Sequence, residues 1–225
     1  MAADLPLERR WLVGALLVLT VVTGLVDAVS YLRLGHAFVA NMTGNVVFMG
    51  FSLQQGSGVS APAAIVAILA FAAGAVLGGR LGAHMSDRPR LWLTAALGME
   101  AAILASTAIL SGLGILVYSG HRALVTVAVL AVALGLQNST VRRLGAPDLT
   151  TTVLTLTLTG LAADSVLAGG PGTQPHRRLG SVAAMFIGAA IGAVLLPVTI
   201  SGVIAITAVL VAATAVVFMC APRNA

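Results

Sequence analysis

The stretch "LGHAFVANMTGNVVFMG", residues 34–50, places Asn41, Thr43, Gly44 and Asn45 inside an otherwise apolar run. Each amide or hydroxyl left without a partner in hydrocarbon costs on the order of 1 to several kcal/mol, so these groups must either find partners or meet water. The reading of this stretch decides the fold. If it crosses a bilayer the chain has one topology, and if it dips in and returns the chain has another.

Composition establishes that there is a bilayer to cross. Of the 225 residues, 59% are hydrophobic and 8% charged, and the mean hydropathy is +1.04. Soluble domains carry about 25% charged residues. The expected class is therefore all-α, a single integral membrane domain built as a polytopic helix bundle over residues 1–225. Six runs are long enough to be transmembrane helices at 1.5 Å rise per residue: 11–31, 63–84, 91–111, 122–141, 180–197 and 201–220. The first follows Arg9 and Arg10 and is longer than a signal-peptide core, so it is expected to be retained. Two further stretches, 38–53 and 149–168, are shorter or more polar and need a separate argument.

Charge supplies that argument. The net charge is +5, and every basic residue among the 12 is an arginine. If only the six clean runs cross, Arg9, Arg10, Arg80, Arg88, Arg90, Arg142, Arg143, Arg177, Arg178 and Arg223 fall on one side and only Arg33 and Arg122 on the other. This asymmetry is the positive-inside pattern, with both termini cytoplasmic. If both polar stretches also cross, the arginines divide evenly and the pattern disappears. If 38–53 alone crosses, a bias survives but sends Arg9 and Arg10 to the wrong side. The preferred reading makes 38–53 and 149–168 re-entrant segments that enter and leave on one face.

The two halves, 11–111 and 122–220, resemble each other. A shift of 111 places Gly24-Leu25-Val26-Asp27 on Gly135-Leu136-Gln137-Asn138, and a shift of 114 places Gly74, Ala75 and Gly78 on Gly188, Ala189 and Gly192. Three crossings per half would turn the second half upside down, the inverted-repeat plan of many secondary transporters. Gly74, Gly78 and Gly82, and likewise Gly188 and Gly192, recur every fourth residue and give each helix a smooth flank for close packing, within the chain or in a homodimer.

The polar residues are the candidates for function. The first span reaches Asp27, Ser30 and Tyr31 before Gly35 ends it, and a short helix is expected to start near Asn41, which suits its N-cap. In the second half, Gly145-Ala146-Pro147 breaks the chain and Asp148 is placed to cap a segment in which Thr151, Thr155 and Thr159 share one helical face. Half-helix N-termini carry a partial positive charge that favours an anionic or strongly polar solute. Asp27, Ser30, Asn41, Thr43, Asn45, Gln137, Asn138, Thr151 and Thr155 are accordingly the expected substrate or ion contacts. The alternative is that these groups only cap and bind helices together.

An ionised carboxylate at membrane depth costs roughly 2.5 to 3.5 kcal/mol on insertion scales, so Asp27 is a proton-coupling candidate, or else a partner of Arg33. Glu100, at the centre of the third span, is a second proton candidate. Asp164 is expected near Arg177 or Arg178. His36, His84, His121 and His176 stand at span ends or in loops without metal-ligand spacing, and a lone Cys220 forms neither an intrachain disulfide nor a CxxC site. No GxSxG, HExxH or Walker pattern occurs, so no enzyme, cofactor, metal or nucleic-acid partner is expected.

Taken together, "TGLVDAVSYLRLGHAFVANMTGNVVFMG" and "LGLQNSTVRRLGAPDLTTTVLTLTLTGL" resemble the YoaK-like bacterial membrane proteins, domain of unknown function 1275. The specific elements are Asp27, the run Asn41-Met42-Thr43-Gly44-Asn45, and Gln137-Asn138. The resemblance implies a bacterial inner-membrane protein of about six spans and carries no substrate with it. The functional expectation therefore rests on the residues: a secondary transporter or channel-like facilitator for a small polar or anionic solute, with a non-transporting scaffold as the competing class.

Overall fold

The computed structural model describes residues 8–54, 56–116, 118, 120–144, 154–170 and 175–221. Among these the chain is all-helical: α1 Arg9–Arg33, α2 Met42–Phe51, α3 Ala61–His84, α4 Pro89–Gly112, α5 Gly120–Leu144, α6 Leu154–Ala163, α7 Pro175–Leu195 and α8 Ile200–Cys220, with a 3-10 turn at Val166–Ala168. Six of these helices are long and apolar enough to cross a membrane, whereas α2 and α6 have 10 residues each. At 1.5 Å per residue, each short helix spans about 15 Å, half a hydrocarbon layer.

Local chemistry sets most helix ends. Gly35, at φ +100°, stops α1 where an L side chain would be strained. The Ser60 hydroxyl accepts from the Ala63 N–H and Pro62 follows in the first turn of α3. Pro89 opens α4, and Thr199 caps α8 by accepting from the Gly202 N–H at 3.0 Å. The seventh helix differs from its expected span of 180–197. It starts at Pro175, which a first turn tolerates, and ends at Leu195 before Pro197.

The glycine flanks bring backbones together. A Cβ on Gly74 would strike the Val132 carbonyl, and one on Gly135 the Phe71 carbonyl, so α3 and α5 meet backbone to backbone. The same contact recurs between α1 and α7: a Cβ on Gly188 would strike the Val21 carbonyl, and one on Gly24 the Met185 carbonyl. Farther along the same flanks, Gly78 faces Leu136 and Ser139, Gly82 faces Arg143 and Trp92, and Gly192 faces Leu25 and Ala28. Both glycine rows thus pack against helices of the same chain.

These contacts fix relative directions. Gly74, Gly78 and Gly82 meet Val132, Leu136 and Arg143 in ascending order, so α3 and α5 run parallel. Gly180, Gly188 and Gly192 meet Leu17, Val21 and Leu25 in ascending order, so α1 and α7 also run parallel. Arg90 reaches the Ala221 carbonyl while Gly112 faces Ser201, which makes α4 and α8 antiparallel. Trp92 lies under Arg143 while Thr107 and Thr126 share a crevice, so α4 and α5 are antiparallel as well. Leu34 at the end of α1 shares a cleft with Ser60 at the start of α3 and Gly120 at the start of α5, and Gln137 meets Thr23 farther in, so α1 is antiparallel to both α3 and α5. The six spans therefore alternate in direction, and the 34–60 connection starts and finishes at one end of the bundle.

The interior belongs to α1 and α5. In their most apolar windows 72% and 61% of residues are buried, against 44% for each of α4 and α8 and 28% and 22% for α3 and α7. A span with most of its surface enclosed can carry polar groups away from lipid. Those two helices hold seven of the fourteen buried polar side chains among the described residues.

Candidate functional site

At one end of α1 the chain after Gly35 folds back along the helix, and polar side chains hold it there. The Asp27 Oδ1 accepts from the Val39 and Ala40 N–H groups, each at 2.9 Å. The Asn45 Oδ1 accepts from the Phe38 N–H at 2.9 Å, while its Nδ2 donates to the Phe38 carbonyl at 2.7 Å. Asn41 is the N-cap of α2, its Oδ1 accepting from the Gly44 N–H at 3.3 Å. Ser30 donates to the Asp27 carbonyl at 3.2 Å. Asp27, Ser30 and Asn45 are all buried.

The aromatic side chains complete the fold-back. Phe38 stacks on Tyr31 and Phe48 with centroids 4.9 and 5.6 Å away, and His36 meets Tyr31 edge-on at 5.3 Å. Gly44 must lack a Cβ because the Phe38 ring would stand only 2.8 Å from it. Next to this cluster a cleft of about 390 Å³ opens between the ends of α1, α3 and α5, lined in part by Gly35, Ser60, Tyr118 and His121.

Deeper in the bundle, the Gln137 Nε2 donates to the Thr23 hydroxyl at 3.1 Å and lies 3.4 Å from the Leu19 carbonyl. Thr23 stands one turn below Asp27 on α1, so a polar line runs from the fold-back to α5. The Gln137 Oε1 has no hydrogen-bond partner among the described residues. Asn138 donates to the Leu134 carbonyl at 2.8 Å. Glu100 lies apart from this line, on α4. It is fully buried, and neither carboxylate oxygen has a hydrogen-bond partner among the described residues.

The structure thus gathers Asp27, Ser30, Asn41 and Asn45 into one cluster, with Gln137 bonded to Thr23 one turn farther along α1. Thr43 is exposed beside it. Thr151 lies outside the described residues, as do Gly145, Ala146, Pro147 and Asp148. In α6, Thr155 and Thr159 are exposed, and the buried hydroxyl belongs to Thr157. Asp164 pairs with Arg178 at 2.7 Å. Asp27 takes backbone N–H groups rather than Arg33, whose Nη2 instead donates to the Leu196 carbonyl at 3.4 Å. Sequence reading missed Thr23, although its place four residues before Asp27 was a usable signal. It also missed Thr126, a buried hydroxyl on α5 without a partner among the described residues.

Six apolar spans enclosing carboxyl, amide and hydroxyl groups define a multi-pass helical membrane protein with a polar interior. The profile of the DUF1275 family, described as a protein of unknown function, matches residues 15–217, and the chain belongs to that family. It is similar to the UPF0700 transmembrane protein YoaK of Bacillus subtilis (strain 168), with 33% identity over 153 residues. That alignment covers 65% of this chain and 64% of the relative, so the chain spans just under two thirds of the curated relative's length. No solved structure matches.

Proposed function

We propose that the protein is a secondary transporter or channel-like facilitator for a small polar or anionic solute, with protons as the coupling ion. The observation that carries this reading is Glu100, a carboxyl at the middle of a span with both oxygens buried and unpartnered among the described residues. Such a group costs several kcal/mol in hydrocarbon and does no capping or bridging in return. Function is the economical reason for keeping it.

The packing supports an inverted-repeat reading of the halves. The shift of 111 that carries Gly24 onto Gly135 also carries Val21 onto Val132, and the shift of 114 that carries Gly74 onto Gly188 carries Phe71 onto Met185. The four backbone contacts of those glycines are therefore exchanged in pairs by the same two shifts. On this reading α2 and α6 are re-entrant half-helices entering from opposite faces, and the α2 N-terminus favours negative charge in a solute. The arginine asymmetry and the resemblance support a place in the bacterial inner membrane with both termini cytoplasmic.

A scaffold reading is favoured by one observation: Asn45 uses both ends of its amide, and Asp27 one oxygen, to hold backbone. Solute flux into proteoliposomes separates the two. Wild type is expected to move a solute from a panel of small anions and polar molecules, with Asp27→Asn, Asn41→Ala and Glu100→Gln each slower. Equal flux in all three variants removes the proposed site, and no flux of any solute by wild type favours the scaffold.

A further inference from the structure

Five described residues hold buried polar side-chain atoms without a hydrogen-bond partner: Trp92, Glu100, Thr126, Gln137 and Ser181. All but Ser181 belong to α4 and α5. On α4, Trp92, Glu100 and Thr107 follow one helical stripe with Ala96 and Ile103 between them. Both ends of that stripe face α5, because Trp92 lies under Arg143 with 5.8 Å to its ring centroid, and Ile103 and Thr107 share a crevice with Thr126. The antiparallel register set by these two contacts places Glu100 level with residues 133 and 134, between Thr126 and Gln137. On α5, Thr126 and Gln137 share their own stripe, three turns apart.

The crevice supplies an entrance. It has a volume of about 290 Å³ and a mostly apolar lining in which Ser106, Thr107 and Thr126 are the polar residues, the first two donating to the Ala102 and Ile103 carbonyls of their own helix. Ile103, at its edge, stands about 4.5 Å along the axis from Glu100, which continues the same stripe inward.

We propose that the α4–α5 seam is a proton route and that Glu100 is the group in it that takes up and releases the proton. By that register the Gln137 amide oxygen stands about 5 Å along the axis from Glu100 and the Thr126 hydroxyl about 11 Å, and neither holds the carboxyl in a fixed hydrogen bond, which leaves it available to exchange a proton. The chemistry points to a proton rather than a metal cation. Cations such as calcium need about 6 to 8 oxygen ligands, whereas the residues beside Glu100 on the two helices include Leu97, Leu104, Leu130 and Leu134, all buried.

Among the described residues no other charge stands at the level of Glu100. The titratable and charged side chains of the elements packed on α4 stand near helix ends: His121, Arg122, Arg142 and Arg143 on α5, Cys220 on α8, and Arg80 and His84 on α3. On α4 itself, Arg90 lies in the first turn and Arg88 just before it. The coupling role of this carboxyl rests on the transport reading.

Infrared spectroscopy of the full chain in lipid nanodiscs tests the site without any transport assay. A carboxylic C=O band is expected in wild type, absent in Glu100→Gln, moved in Glu100→Asp, and shifted when the sample is placed in D2O. The isosteric Thr126→Val is expected to slow that deuterium shift about tenfold, the effect of removing the polar group between the crevice and the carboxyl. The proposal is overturned by a band that never shifts in D2O or that neither Glu100 variant alters. It is also overturned by absence of the band at every pH, by an unchanged shift rate in Thr126→Val, or by loss of the band on adding sodium. Deuterium exchange at Glu100 in a protein that moves no solute retains the proton site and ends the transport reading. Flux through a protein whose Glu100 is sealed does the reverse.

Discussion

Asn45 grips Phe38 by both of its backbone groups, accepting from the N–H at 2.9 Å and donating to the carbonyl at 2.7 Å. One amide side chain therefore replaces the partners that a strand or helix would have given this loop residue. Substituting it strands a donor and an acceptor in a buried place. Asn45→Leu is expected to cost about 2 to 4 kcal/mol, and Asn45→Asp, whose ionised carboxylate would face the Phe38 carbonyl, at least as much. Denaturant titration of purified protein in detergent measures both, and equal stability of Leu and wild type would show that the clamp does not matter.

Asp27 anchors the same loop through a single oxygen. Asparagine retains a carbonyl oxygen able to accept from Val39 and Ala40, so Asp27→Asn is expected to keep the fold-back, whereas Asp27→Ala releases it. The reporter is a thiol reagent reacting with Ala37→Cys, at a position the fold-back buries, in a Cys220→Ser background. Reaction is expected to be about tenfold faster with Asp27→Ala and near the parent rate with Asp27→Asn.

The glycine contacts predict opposite signs at neighbouring positions. A methyl at Gly74 or Gly188 meets the carbonyl of Val132 or Val21, so Gly74→Ala and Gly188→Ala should each destabilise by about 1 to 3 kcal/mol. Gly14 and Gly79 also lie in helices but have no neighbour within 4 Å of such a methyl. Alanine there should be neutral or stabilise by about 0.5 to 1 kcal/mol. Thermal unfolding of the four variants in one detergent decides the matter, and a uniform response would remove the backbone contacts from the account.

Antiparallel α1 and α3 predict a labelling pattern. Single cysteines at His36 and Ser57, again in Cys220→Ser, should react with an impermeant reagent added to the same face of sealed vesicles. Labelling from opposite faces would mean that 38–53 crosses the bilayer, and the inverted-repeat reading would go with it.

Much of the architecture was legible in the chain because it depends on properties local to each segment. Length and hydropathy specify six spans, Gly35 marks where α1 stops, and Asn41 announces the start of α2. Each is a contest between a few adjacent residues and the hydrocarbon or water around them. The pairing of glycine faces was only half legible: their spacing promised close packing, but not that α3 would take α5 and α1 would take α7.

Tertiary structure alone decided the partners. Asp27 could equally have paired with Arg33, and its choice of the Val39 and Ala40 N–H groups depends on a loop that folds back twelve residues later in the chain. Thr155 and Thr159 share a face, yet the packing of α6 leaves that face exposed. Glu100 read as one acidic residue in an apolar helix, and only the packing around α4 buried both of its oxygens without a hydrogen-bond partner among the described residues. The physical reason is the same each time. Hydrophobicity acts on a segment whatever its neighbours, whereas a hydrogen bond or a close backbone contact exists only when groups distant in the chain arrive within a few ångströms of each other.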